Sequence, residues 1–244
     1  MPNYAAALKG EKNVLEDIAP CFNTALSTIR RLDDEWILES SNFERCQSVE
    51  EVYTVANALL LQIHQVLALY LVLTSAPLSI SSIMVFNGDI LVRRRIWAFS
   101  EPINVYRSAM KTLHPSPSGS VATAVLSLAA SDPAVREALS LAGNEALTWP
   151  RIYDIIEFLR GSSSIAKSGL ASKTKTGAVK QTANYYRHLC NPKDDKPSPK
   201  PPTLRAASLF ATDILQQWIA RKQLLATIEH LIVRRSRAGT AKVA

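Results

Sequence analysis

The sequence predicts a mostly α-helical protein, a helical bundle that carries one small β-hairpin over about residues 80–97. Apolar residues recur at intervals of three and four through most of the chain, which is typical of helices with one buried face. The stretches on either side of Asn87-Gly88 are instead rich in β-forming residues, and Asn-Gly favours a two-residue hairpin turn. Glycine is scarce, at 8 of 244 residues, which argues against glycine-rich phosphate loops.

In the N-terminal part, the spacing of apolar residues predicts one or two helices over residues 12–38. Ser48 is a favourable N-cap, and Glu51, three residues later, completes the sequence of a capping box. We therefore expect a long helix from Val49 to about Thr74.

The apolar stretch 55–73 lies within this helix and resembles a membrane span in length. Four polar residues interrupt it, and their burial in lipid would be costly. They are Asn57, Gln62, His64 and Gln65. We interpret the stretch as the central helix of a globular core, and expect no membrane association.

Further helices are expected along the rest of the chain. Asp132-Pro133 is typical of a helix start, because aspartate caps and proline fits the first helical position. The predicted helices cover residues 102–113, 120–130, 133–143, 149–161, a short one within 178–190, and a long one over 203–235. Residues 161–177 are expected to form a mobile loop.

We expect a single helical domain over residues 1–235 and a flexible basic tail over 236–244. Charge is unevenly distributed along this chain. Residues 1–150 carry 11 basic and 15 acidic side chains, a net charge of −4, whereas residues 151–244 carry 17 and 6, a net charge of +11. RNA or another polyanion would therefore be attracted to the C-terminal part.

The three cysteines are odd in number and widely spaced, which favours reduced thiols and a cytoplasmic protein over a disulfide framework. The four histidines are too scattered for a metal-ligand set, and we expect neither a metal nor a cofactor.

Two arginine–histidine pairs are candidates for chemistry on RNA, because histidine moves protons near neutral pH and arginine neutralises a phosphate. Arg107 and His114 have a spacing that HEPN-type ribonucleases use, although chance alone supplies one such match in this chain. Arg187 and His188 are adjacent. They follow Thr182-Ala183-Asn184 and precede a proline-rich stretch and a helix with Gln217-Trp218-Ile219.

Together with the upstream segment 147–157, which begins Leu147-Thr148-Trp149-Pro150, this order resembles a group of small uncharacterised bacterial proteins. Their layout is similar to abortive-infection and HEPN-like helical domains. The resemblance covers about residues 147–220. It implies a defence protein that binds or acts on RNA, with Arg187 and His188 as catalytic residues. The substrate-binding residues would be Tyr153, Glu157, Asn184 and Lys180.

Two alternatives stay open at this point. Arg187 could instead pair with Asp154 or Glu157 of the preceding helix, with His188 bonded to backbone, so that the cluster is structural. The whole chain could be a non-enzymatic helical adaptor that binds a protein partner or forms a homodimer. The sequence leaves open whether the protein is an enzyme.

Overall fold

The computed structural model describes residues 3–24, 26–70, 78–88, 90–96, 119–143, 147–162, 165–188 and 198–240. The chain divides into two compact units, unit 1 over Met1–Ala146 and unit 2 over Leu147–Ala244. The single domain over residues 1–235 with a tail over 236–244 stays a prediction. The predicted helix 102–113 lies outside the described residues.

Unit 1 contains a six-stranded antiparallel sheet, so the predicted mostly α-helical bundle with one small hairpin is wrong. Its strands are β1 (Asn3–Lys9), β2 (Asn23–Thr24), β3 (Ser27–Leu32), β4 (Glu35–Glu39), β5 (Ser79–Asn87) and β6 (Ile90–Ile96). They lie in the order β2-β3-β4-β1-β5-β6. The protein is therefore a mixed α and β structure.

Strand β1 lies at the centre of this sheet and is buried on both faces. Ala7 pairs with Ile37, and Ala5 pairs with Met84, on one face, where the four residues form an apolar cluster. Ala6 pairs with Leu38 and Ile83 on the other, and these residues are also buried. A strand that is covered on both faces shows no polar alternation. Its run of three alanines, which favour helix by themselves, therefore gave no strand signal.

The prediction of one or two helices over residues 12–38 is correct only for the first part, α1 (Lys12–Ile18). Strands β3 and β4 follow as a hairpin in which Leu32 pairs with Glu35. Asp33, in the two-residue turn, has a φ of 52°, a conformation that aspartate tolerates better than most residues. The three-residue spacing of apolar side chains in this region was thus mistaken for a helical repeat.

The predicted hairpin exists as β5 and β6, but it forms one end of the larger sheet. Asn87 pairs with Ile90, so Asn87 belongs to the strand and the turn lies one position later than predicted. Gly88 has a φ of 61°, which favours glycine. Strand β6 is the last strand in the sheet order, and three consecutive apolar residues on it are exposed: Ile90, Leu91 and Val92.

Helix α2 (Val49–Tyr70) begins where the sequence predicts. The Ser48 hydroxyl accepts from the Glu51 backbone N–H at 3.1 Å, and the Glu51 carboxylate accepts from the Gln47 N–H at 2.7 Å. The helix contacts β1 and β5 as well as α3 (Gly119–Ser131) and α4 (Pro133–Ala142). It is the one described helix long and apolar enough to cross a membrane, yet 56% of its apolar window is buried within the protein. That burial is typical of a core helix.

Helix α4 is fixed at both ends. The Asp132 carboxylate accepts from the backbone N–H of Ala134 at 2.9 Å and of Val135 at 3.4 Å, as its predicted N-cap role requires. Gly143 follows the helix, and a Cβ atom there would lie 2.8 Å from the Cα atom of Gln65 in α2. The backbones of the two helices therefore meet where no side chain fits.

The described residues of unit 2 form helices and turns only. The helices are α5 (Trp149–Ser162), α6 (Lys173–Arg187) and α7 (Leu204–Thr240). The expected loop over 161–177 is wrong in its last part, because α6 begins at Lys173 with the Ser172 hydroxyl accepting from the Lys175 N–H. Helix α5 contacts both α6 and α7, and its residues Ile152, Ile155, Ile156 and Leu159 are fully buried.

Candidate functional site

The candidate site is the surface where α5 and α6 lie side by side, which we call the α5–α6 surface. The helices run in opposite directions, because Asp154 pairs with Arg187 at 3.8 Å and Glu157 pairs with Lys180 at 2.7 Å. The side chains in these two pairs are 28–47% exposed. The structure thus brings together four residues that the sequence singled out, namely Tyr153, Glu157, Lys180 and Arg187.

Tyr153 lies between the two pairs and contacts both cations. The Arg187 guanidinium carbon is 4.6 Å from the centre of the Tyr153 ring, and the Lys180 Nζ is 5.5 Å from it. The negative face of an aromatic ring attracts cations at these distances. The ring therefore helps to hold both cations at the surface.

Glu157 accepts from two cations, Lys180 at 2.7 Å and Arg160 at 2.9 Å. Partial burial opposes its ionisation, but the hydrogen bonds from Lys180 and Arg160 outweigh burial and hold the pKa of Glu157 below its usual value. The carboxylate is therefore ionised at neutral pH and neutralises part of the positive charge beside it.

Aromatic side chains extend this surface at the start of α5 and the end of α6. The Trp149 and Tyr186 rings are stacked, with centroids 5.0 Å apart and planes inclined by 15°. The Tyr185 ring meets Tyr186 edge to face at 5.2 Å. Trp149 was predicted only as a helix start, and neither tyrosine was predicted as a site residue, although two adjacent tyrosines near basic residues are a usable signal.

Basic residues line one side of α6. Lys173, Lys180 and Arg187 follow one another at intervals of seven residues, which places them on one face of the helix over about 21 Å. Helix α6 contains no acidic residue. Lys173 is exposed and has no ion-pair partner among the described residues. The prediction of a loop over residues 161–177 missed the first part of α6, which carries this lysine.

The two residues of the predicted catalytic pair, Arg187 and His188, differ in their surroundings. Arg187 is engaged by Asp154 and Tyr153, as the structural alternative required. His188 caps the end of α6, where its backbone N–H donates to the Asn184 carbonyl at 3.2 Å. Its imidazole is exposed and has no hydrogen-bond partner among the described residues. In the part of the chain that the structure describes, no side chain orients His188 as a general base, so the catalytic role stays a prediction.

The other residues considered for chemistry lie elsewhere. Arg107 and His114 are outside the described residues, as is Cys190. Cys21 and Cys46 are free thiols, and burial raises the pKa of each, which disfavours the nucleophilic thiolate. Within the described part of the chain, no three His, Cys, Asp or Glu side chains are grouped as a metal site would need.

Unit 1 has a separate cleft of about 300 Å³ at the ends of β1 and β4. Its lining is mostly hydroxyl and carboxylate groups, and comprises Asn3, Tyr4, Thr24, Thr28, Glu39, Ser40, Ser41, Phe43 and Glu44. Glu39 is already bound to Arg30 at 2.6 Å. None of the residues predicted from the sequence as a site lies in this cleft.

Comparisons of the chain with models of protein families, with curated proteins and with solved structures found no match. The geometry of the α5–α6 surface is therefore the basis for the function proposed next.

Proposed function

We propose that this protein binds RNA through the α5–α6 surface of unit 2. The observation that carries the proposal is the row of Lys173, Lys180 and Arg187 on a helix without acidic residues, beside the Trp149–Tyr186 stack. Cations attract the phosphate backbone, and exposed aromatic rings stack on unpaired bases. The combination favours single-stranded RNA, whose bases are accessible.

The charge of the two units supports this placement. Leu147–Pro150 is uncharged, so the net charge of +11 counted over residues 151–244 belongs wholly to unit 2. Unit 1 carries the net charge of −4 and would repel a polyanion. A cytoplasmic location and a role in defence belong to the same proposal, and rest on the cysteine pattern and on the resemblance to abortive-infection and HEPN-like domains.

Binding is better supported than cleavage. Arg187 already neutralises Asp154, and the imidazole of His188 has no orienting partner among the described residues. The cleavage version has a direct test, in which the purified protein and a His188→Ala variant are incubated with total RNA. Cleavage by the wild type alone would restore the catalytic assignment, and intact RNA in both samples would remove it.

Binding is tested by fluorescence anisotropy with a labelled single-stranded RNA over a range of salt concentrations. Lys173→Ala removes one phosphate contact and should weaken binding about fivefold near 0.1 M salt, with a shallower salt dependence. Lys9→Ala in β1 removes the same charge from unit 1 and serves as the control. Equal affinities for the two variants would contradict the proposed surface.

The aromatic part of the surface has its own test. Tyr186→Leu removes the ring that stacks on Trp149 and keeps an apolar side chain, and we expect a loss of about 1–3 kcal/mol in binding single-stranded RNA. A duplex of the same sequence should bind the variant and the wild type alike, because its bases are not free to stack. An equal loss for both RNAs would argue against base stacking.

A second candidate function, protein interaction or self-association, is favoured by one observation. Helix α7 exposes three large apolar side chains beyond the part that packs in unit 2, namely Leu224, Leu225 and Ile228. Exposed apolar residues on one side of a helix are typical of helix–helix interfaces. Light scattering after size-exclusion chromatography tests it, because a dimer that Leu225→Lys dissociates would support this function and a concentration-independent monomer would oppose it.

A further inference from the structure

Two of the three cations in the row on α6 are already occupied by carboxylates of this chain. Asp154 holds Arg187, and Glu157 holds Lys180, whereas Lys173 has no acidic partner among the described residues. A phosphate that approaches Lys180 or Arg187 meets a negative group in the place that it would itself take.

We infer that Asp154 and Glu157 act as built-in competitors of the RNA phosphates, so that the surface selects a continuous chain of phosphates over a single one. This inference rests on the proposed function. An isolated phosphate must displace a carboxylate in return for one contact, which leaves little net gain. A chain anchored at Lys173 presents further phosphates at high local concentration, and can displace both carboxylates in turn.

The contacts allow such an exchange. Both ion pairs are partly exposed, and exposed pairs of this kind are weak. Tyr153 contacts both cations through its ring and does not depend on the carboxylates for that contact. When the carboxylates turn away, Lys180 and Arg187 therefore stay oriented at the surface. The lowered pKa of Glu157 means that the competitor remains charged at neutral pH.

The test uses the full chain and three charge-removing variants of nearly unchanged shape, Asp154→Asn, Glu157→Gln and Asp213→Asn. Asp213 is the control, because it lies on α7 of the same unit and accepts from Gln217 at 3.0 Å with no cation partner among the described residues. Each variant changes the net charge by +1. The probe is a labelled 20-nucleotide single-stranded RNA, with inorganic phosphate and a mononucleotide as unlabelled competitors.

Asp154→Asn should bind this RNA about fivefold tighter than the wild type near 0.1 M salt, with a steeper salt dependence, because it frees Arg187 for a phosphate. Glu157→Gln should gain at least as much, because it frees both Lys180 and Arg160. Asp213→Asn should change affinity less than twofold. The mononucleotide should compete better against the two freed variants than against the wild type.

Three outcomes distinguish failure of the inference from failure of the proposed function. If the wild type binds RNA and all three variants gain equally, the carboxylates act only through overall charge and the inference is overturned while the proposed function stands. If neither the wild type nor any variant binds, the proposed function fails and the inference fails with it. If only the two freed variants bind, the competition is stronger than inferred and the inference is supported. Thermal unfolding of each variant confirms that it is folded.

Discussion

The two units of this protein differ in both architecture and charge. Unit 1 is built on a six-stranded sheet and carries a net charge of −4, whereas the described part of unit 2 is helical and the unit carries +11. Under the proposed function, this difference means that a polyanion is attracted to unit 2 and repelled by unit 1.

The largest expected effects test whether each unit has its own core. Ile83 in β5 and Ile155 in α5 are both fully buried, and replacing either with alanine leaves a cavity that should cost about 2–5 kcal/mol of stability. Hydrogen exchange followed by mass spectrometry locates the loss. We expect Ile83→Ala to raise exchange in unit 1 and Ile155→Ala to raise it in unit 2. If either variant raised exchange equally in both units, the idea that each unit has its own core would be wrong.

The next prediction concerns the loss of stability at acidic pH that a histidine of unit 1 causes. His64 in α2 is 1% exposed, neither ring nitrogen has a hydrogen-bond partner among the described residues, and burial lowers its pKa to about 4. The unfolded chain therefore binds a proton between about pH 6.5 and 4 that the folded chain does not. Stability should fall by about 3 kcal/mol as the pH falls through that window, and then change no further from this group.

Denaturant unfolding at pH 7 and pH 4 measures this loss. In a His64→Leu variant the acid-dependent part should shrink by about 3 kcal/mol, since leucine has no proton to bind. His188→Ala, which removes the exposed histidine of unit 2, is the matched control. An unchanged acid loss in His64→Leu would show that other groups cause it.

The smallest effects compare one helix start in each unit. The Asp132 carboxylate accepts from two backbone N–H groups of α4, whereas the Ser172 hydroxyl accepts from one N–H of α6 at 3.3 Å. Asp132→Ala should cost about 1 kcal/mol and Ser172→Ala about 0.5 kcal/mol. Urea unfolding of both variants gives the two values, and a larger loss for Ser172→Ala would reverse the expected order.

Helix starts were predictable from the sequence, because a helix cap depends on only a few neighbouring residues. Ser48, Asp132 and Trp149 each mark a helix that exists in the structure. The sequence did not reveal the sheet, because β1 is covered on both faces and its alanines are identified as a strand only by their partners in β4 and β5. Only the hairpin of β5 and β6 had a local turn signal.

The candidate site was partly predictable for a related reason. The order of segments along the chain suggested Glu157 and Arg187 as site residues, with Asp154 or Glu157 as the alternative partner of Arg187, and all three lie at the α5–α6 surface. The exact pairing was not predictable, because it depends on the antiparallel packing of two helices joined by a long connection. In that packing Arg187 pairs with Asp154, and Glu157 pairs with Lys180.

Gly143 has a consequence for how this chain tolerates change. Because a Cβ atom there would overlap the backbone of α2 beside Gln65, even alanine must push α4 outward. In a library that samples all twenty amino acids at each position, this site should accept glycine alone. Residues on the exposed side of α4, such as Glu137, should accept almost anything. A position without a side chain thereby sets the spacing of the helical layer that covers the sheet.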